Sequence, residues 1–178
     1  MIGFLRFIGV INAAIWLGGT VFFVLFAEPA FFSPDMLALL EAKNFPYFSG
    51  AIAQIIAARY FHFHLICAVI AFLQLLGEWL YLGRPGRRAS FSLLLGLLVL
   101  GLIGDHWVQP KLKALHKARY QANTPPAERE AAARSFGSWR IASHLLELCM
   151  IGGLVIYVWR AANSSDTLRF VSSVKFRG

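Results

Sequence analysis

The sequence predicts an all-α integral membrane protein, an up-down four-helix bundle with short interfacial helices, and three observations carry that prediction. Four stretches, at about 4–26, 60–82, 90–108 and 136–159, are apolar over the roughly 20 residues that a helix needs to cross a hydrocarbon core about 30 Å thick. Runs such as Leu93-Leu94-Leu95-Gly96-Leu97-Leu98-Val99-Leu100 show neither the polar face of a soluble amphipathic helix nor the alternation of a barrel strand. Hydrophobic residues make up 58% of the 178-residue chain, which leaves little for a separate soluble domain. Short connections then force neighbouring spans antiparallel. Residues 1–162 are read as one four-span domain, and 163–178 as a polar C-terminal tail.

The first span exceeds the apolar core of a cleaved signal and lacks a small-x-small site before Glu28-Pro29, so it is expected to be retained. Glu28-Pro29 should stop that helix, because proline disfavours the helical region for the residue before it. Ser33-Pro34 reads as a helix start, with Ser33 as N-cap and Pro34 in the first position. A short surface helix over 35–43 should follow, with Asn44-Phe45-Pro46-Tyr47-Phe48 turning the chain back and 50–58 leading into the second span. A compact Arg84-Pro85-Gly86-Arg87-Arg88 turn joins the second span to the third. Pro110 marks the water boundary, and the mixed basic and apolar residues of 111–118 suit a helix projecting from the membrane or lying in its headgroups. Asn123-Thr124-Pro125-Pro126 ends it, and 127–135 restarts with Thr124 as cap and Glu128 and Glu130 in the favoured first turn.

The net charge of +8 does not point to nucleic acid, since the Lys and Arg residues sit at span ends and in loops, where they meet lipid headgroups. They divide evenly between the two sides. The compact arginine turn at 84–88 then tips the expected topology towards both termini in the cytoplasm. Cys67 and Cys149 lie inside spans and read as small packing residues, not as a disulfide. Trp79, Trp107, Trp139 and Trp159 lie near span ends, as interface anchors do. Gly18-Gly19 and Gly152-Gly153 lie within apolar spans and read as close helix contacts.

Ionisable groups inside hydrocarbon cost at least about 2.5–3.5 kcal/mol each, so they face the bundle interior and pair. Arg140, His144 and Glu147, spaced i, i+4 and i+7, share one face of the fourth span, with Ser143 beside them. His64, Cys67, Gln74 and Glu78 form a stripe on the second span, while Asp105 and His106 close the third and Asn12 sits in the first. Antiparallel packing puts His62, His64, His106, His144, Glu28, Arg59 and Asp105 towards one membrane side. Three readings stand: hydrogen bonds that fix packing, a ligand or proton-handling site, and a metal or haem site drawing on His64, His106 and His144 from three helices. Arg140 is expected to pair with Glu147, or across helices with Asp105 or Glu28.

Trp16-Leu17-Gly18-Gly19, Glu28-Pro29-Ala30-Phe31-Phe32, Asn44-Phe45-Pro46-Tyr47-Phe48 and Trp107-Val108-Gln109-Pro110-Lys111-Leu112 together resemble the bacterial four-helix membrane family related to transmembrane protein 205. The likeness covers roughly 5–160 and ends on a fourth-helix frame in which Arg140 replaces the family's His and Glu147 its Asn, with His144 one turn deeper. That resemblance implies the four-helix fold and a place in a bacterial inner membrane, and brings no defined reaction.

No hydrolase or phosphate-binding motif occurs, and catalysis is not expected. A bundle with little extramembrane mass suits an accessory or scaffold subunit of a larger membrane complex, in contact with membrane lipids and other membrane-protein subunits. The alternative is a small transporter or a haem- or metal-binding membrane protein that uses the intramembrane polar cluster of Glu28, Glu78, Asp105, Arg140 and Glu147 with the histidines. Bound lipid is the other expected ligand.

Overall fold

Four helical rods, each longer than a bilayer needs, are what the apolar stretches build. A computed structural model describes residues 2–82, 88–121 and 123–163; the expectations for the arginine turn at 84–87 and for the tail from 164 lie outside the described residues. The first rod is α1 (Ile2–Phe22), continued by a π-helical turn (Phe23–Ala27) and by α2 (Glu28–Ala30). The second is α3 (Pro34–Leu82). The third is α4 (Arg88–Ile103), a second π-helical turn (Gly104–Val108) and α5 (Gln109–Tyr120), and the fourth is α6 (Pro126–Asn163). Rods α1 and α4 each pack against both α3 and α6, which sets α1 and α4 at opposite corners of an all-α membrane bundle.

Exposure is inverted relative to a soluble protein. Leu80, Leu73, Ile141 and Leu145 lie open on the outside, whereas Asn12, Thr20, His64, Glu78, Ser143 and Glu147 are buried within. Only an apolar solvent makes that arrangement favourable, because lipid accepts the leucines and excludes the polar groups. Within the bundle, Ala13, Ala68 and Ala71 let α1 and α3 approach around the fully buried Trp16. Nearer the far end of α1, Phe23 stacks on Tyr60 with ring centres 4.2 Å apart, beside Phe61 and Met150. Of the paired glycines, Gly19 and Gly153 make the close contacts, against Phe63 and Leu97, while Gly18 and Gly152 meet nothing.

Several expected breaks are shifted or absent. The first helix passes through Glu28-Pro29 and ends one residue later, at Ala30. Proline lacks an N–H and its ring collides with the carbonyl four residues back, and the helix absorbs both by widening for one turn, so that the Glu28 N–H donates to the Phe23 carbonyl. The third rod repeats this device. The Gln109 N–H donates to the Gly104 carbonyl just ahead of Pro110, and helix continues to Tyr120.

The reversal expected at 44–48 comes earlier, at Glu41, whose φ of 60° and ψ of 150° interrupt the helix. Pro46 instead lies in the opening turns of the rod that follows, near the end where N–H groups lack helical partners. Ser33 caps α3 as expected: its Oγ accepts the Met36 N–H at 3.2 Å. At the start of α6 it is Pro125, not Thr124, whose carbonyl accepts the first helical bond, from the Arg129 N–H at 3.1 Å. The helix expected over 127–135 and the fourth span are one continuous rod.

At the end of the bundle that carries Glu28, α5 and the first turns of α3 and α6 form a headpiece. His116 is buried there against Tyr47, Tyr120 and Phe136, and its Nε2–H donates to the Tyr47 carbonyl at 3.1 Å.

Candidate functional site

The polar residues read from the sequence separate into four environments. His64, fully buried on α3, accepts the Trp16 indole N–H at Nδ1 (2.9 Å) and donates from Nε2 to the Leu97 carbonyl (3.0 Å). Those two bonds tie α1, α3 and α4 together and occupy both ring nitrogens, so His64 has none left for a metal or haem. Gly101 makes the fit possible, since a Cβ there would lie 2.6 Å from the His64 ring. The neighbouring Asn12 amide donates to the Cys67 carbonyl at 3.0 Å, and the Thr20 hydroxyl donates to the Trp16 carbonyl at 2.8 Å.

Glu78 lies towards the opposite end of the bundle, where its Oε1 accepts from the Gln74 amide at 3.0 Å. Asp105, in the second π-helical turn, faces two exposed rings: His106 Nδ1 at 3.3 Å and His62 Nδ1 at 3.9 Å. His62 also donates to the Ala58 carbonyl at 2.7 Å. His62 points outward and His64 inward, as two residues on one helix separated by about 200° must.

The fourth environment joins two rods. Glu28, delivered by the widened turn at the end of α1, meets His144 and Glu147 on the inner face of α6. His144 Nδ1 lies 3.3 Å from Glu28 Oε2 and 3.5 Å from Glu147 Oε2. Glu147 is 2% exposed, and its Oε1 accepts the Ser143 hydroxyl at 3.2 Å. Its Oε2 and Glu28 Oε2 are both buried, with no hydrogen-bond partner among the described residues. The buried Tyr60 stacks on Phe23 in the same interior, with its phenol near the Thr20 hydroxyl. The site is open on one flank, where the His144 side chain is 39% exposed.

Arg140 does not form the ion pair expected of it. Among the described residues its guanidinium contacts the Phe32 ring instead, with Cζ 3.9 Å from the ring centre. The reason is reach: Arg140 sits one turn nearer the bundle end than His144, and a long cationic side chain extends towards water from there more easily than it turns back two turns to Glu147. Nor do His64, His106 and His144 converge. Among the described residues the one set of three His, Cys, Asp or Glu ligand atoms lying within 4.8 Å of one another is Glu28, His144 and Glu147.

Sequence reasoning missed Trp16 as the partner of His64. A tryptophan in an apolar span reads as packing, yet Asn12, Trp16 and Thr20 fall at i, i+4 and i+8, a polar stripe that signals an inward face. Phe32 and Tyr60 carried no such signal.

The chain belongs to the family defined by a domain of unknown function, DUF4149, whose profile matches residues 11–121. No curated protein and no solved structure matches it. The matched stretch includes Glu28, His64 and Asp105 and ends before α6, so His144 and Glu147 lie beyond it.

Proposed function

We propose that this multi-pass membrane protein binds a cation inside the bundle, with Glu28, His144 and Glu147 as the binding groups. One observation carries this reading: the buried Oε2 of Glu147 and the Oε2 of Glu28, neither with a hydrogen-bond partner by geometry among the described residues, both face the His144 ring. Two carboxylate oxygens gathered in a poorly solvated place repel, and a positive charge among them relieves both the repulsion and the loss of hydration. Of the three groups His144, at 39%, is the most open to the outside of the bundle. The family resemblance to relatives of transmembrane protein 205 adds a kinship to this reading and no chemistry.

The other role expected from the sequence, an accessory or scaffold subunit among lipids and partner subunits, draws support from the small headpiece that α5 builds with α3 and α6 beyond the spans. Placement in a bacterial inner membrane with cytoplasmic termini belongs to the same proposal.

Cation binding is tested by thermal unfolding of detergent-purified, chelator-stripped protein against a series of sodium, calcium, magnesium, manganese and zinc salts. At 100 times its dissociation constant a bound cation stabilises by about 2.7 kcal/mol. At least one cation should raise the melting temperature of the wild type and leave the Glu28→Gln, Glu147→Gln double variant unmoved. A wild type indifferent to all of them would remove the reading.

A further inference from the structure

We infer that the cation is a divalent transition metal of zinc-like character, held by His144 Nδ1 and one oxygen each of Glu28 and Glu147. This rests on the cation-binding reading and narrows it to one chemical class.

The distances are the first argument. A protonated Nδ1 has one N–H, and pairing with either carboxylate it should make a charge-assisted bond of about 2.7–2.9 Å. Here the two separations are 3.3 and 3.5 Å, and neither carboxylate oxygen has a hydrogen-bond partner. Ligands about 2.0–2.1 Å from a common centre at tetrahedral angles lie about 3.3–3.4 Å from one another. The two edges from His144 suit that figure, and the carboxylate–carboxylate edge lies within 4.8 Å.

Donor type is the second argument. One imidazole nitrogen with two carboxylate oxygens suits the borderline divalent metals. Calcium takes six to eight oxygens, and magnesium prefers an octahedral shell that keeps several waters. This site offers three ligands, one of them nitrogen, and the second oxygen of Glu147 is already engaged by Ser143. That Ser143 bond fixes which carboxylate edge faces the centre, as an outer-shell partner does. Three protein ligands leave a fourth position, on the open flank, for water or a solute.

Burial adds to the donor set: Glu147 is 2% exposed, and among the described residues its Oε2 has no hydrogen-bond partner where it faces Glu28 and His144.

The test is zinc binding to stripped full-length protein in detergent, read as bound metal per chain after desalting, with cobalt(II) as a visible-absorption probe. One zinc per wild-type chain is expected, and a cobalt spectrum of low-coordinate nitrogen and oxygen ligation. Changes to outer-shell partners typically cost 10–100-fold in affinity, so loss of a direct ligand in Glu28→Gln, His144→Ala or Glu147→Gln should cost more than about 100-fold. Cys149→Ser, at an exposed thiol on the outer face, should bind as wild type does. Should a ligand variant fail to fold, X-ray absorption of the zinc-loaded wild type decides: a first shell of oxygens with one imidazole supports the site, and sulfur or several imidazoles overturns it. Equal zinc binding by wild type and ligand variants also overturns it. If calcium or sodium stabilises the wild type and zinc does not, the zinc-like assignment falls while cation binding stands; if no cation acts, both fall.

Discussion

Trp16 and His64 settle a buried polar group by giving each ring nitrogen one partner, and the consequence can be set against Arg140. Trp16→Phe keeps the aromatic bulk but removes the indole N–H, leaving His64 Nδ1 buried without a donor. Such a group costs about 1–3 kcal/mol. Arg140→Ala removes a stacking contact on Phe32 from a half-buried position, worth about 0.5–1 kcal/mol. Unfolding in mild detergent should therefore rank Trp16→Phe as clearly the more damaging of the two. The reverse order would show that Arg140 holds a carboxylate after all. Part of the site was legible: Arg140, His144 and Glu147 share a face because helical spacing dictates it. Which of them would meet Glu28 was not legible, since that depends on rotations along α1 that no spacing rule on α6 records. His64 shows the converse, a histidine on the right stripe whose two nitrogens are already taken by groups from other helices.

The element that escaped sequence reasoning is the widened turn, one before Pro29 and one before Pro110. Rules for helix termination assume the α-type bond four residues back, and a proline that removes it reads as a stop. A bond five residues back keeps the rod intact and turns everything after it by about one residue, roughly 100°. Span positions survived this, because apolar length is insensitive to one extra residue per turn. The joining of spans to surface helices did not. For α1 the rotation bears on the site, because Glu28 is the first residue after the widened turn. Pro29→Ala lets that turn tighten and should swing Glu28 away from His144. The expected outcome is a protein as helical and at least as heat-stable as wild type that has lost its cation-dependent rise in melting temperature. Retention of that rise would mean that packing around Phe23, not the proline, sets the turn.

At the scale of the whole molecule, the bundle is asymmetric end to end. The headpiece of α5 and the opening turns of α3 and α6 gathers at the end that carries Glu28, Asp105 and Arg140, with Lys111, Lys113, Lys117 and Arg119 along α5. The other end has Glu78 inside and the arginine-rich 84–88 segment between α3 and α4. Charge counts do not separate the two, but their distribution does: charges compressed into a short loop between two spans resist translocation more than the same charges spread over a long connection. The arginine segment and both termini should thus be cytoplasmic, and the headpiece and the open flank of His144 should face the opposite compartment. Any cation at Glu28, His144 and Glu147 would then be drawn from outside the cytoplasm. Single cysteines at Gly86 and Gln121, placed in a background lacking Cys67 and Cys149, report this directly with a membrane-impermeant thiol reagent on intact cells. Gln121→Cys should label from outside and Gly86→Cys only after the cells are opened; the opposite pattern would invert the molecule and direct the cation site to the cytoplasm.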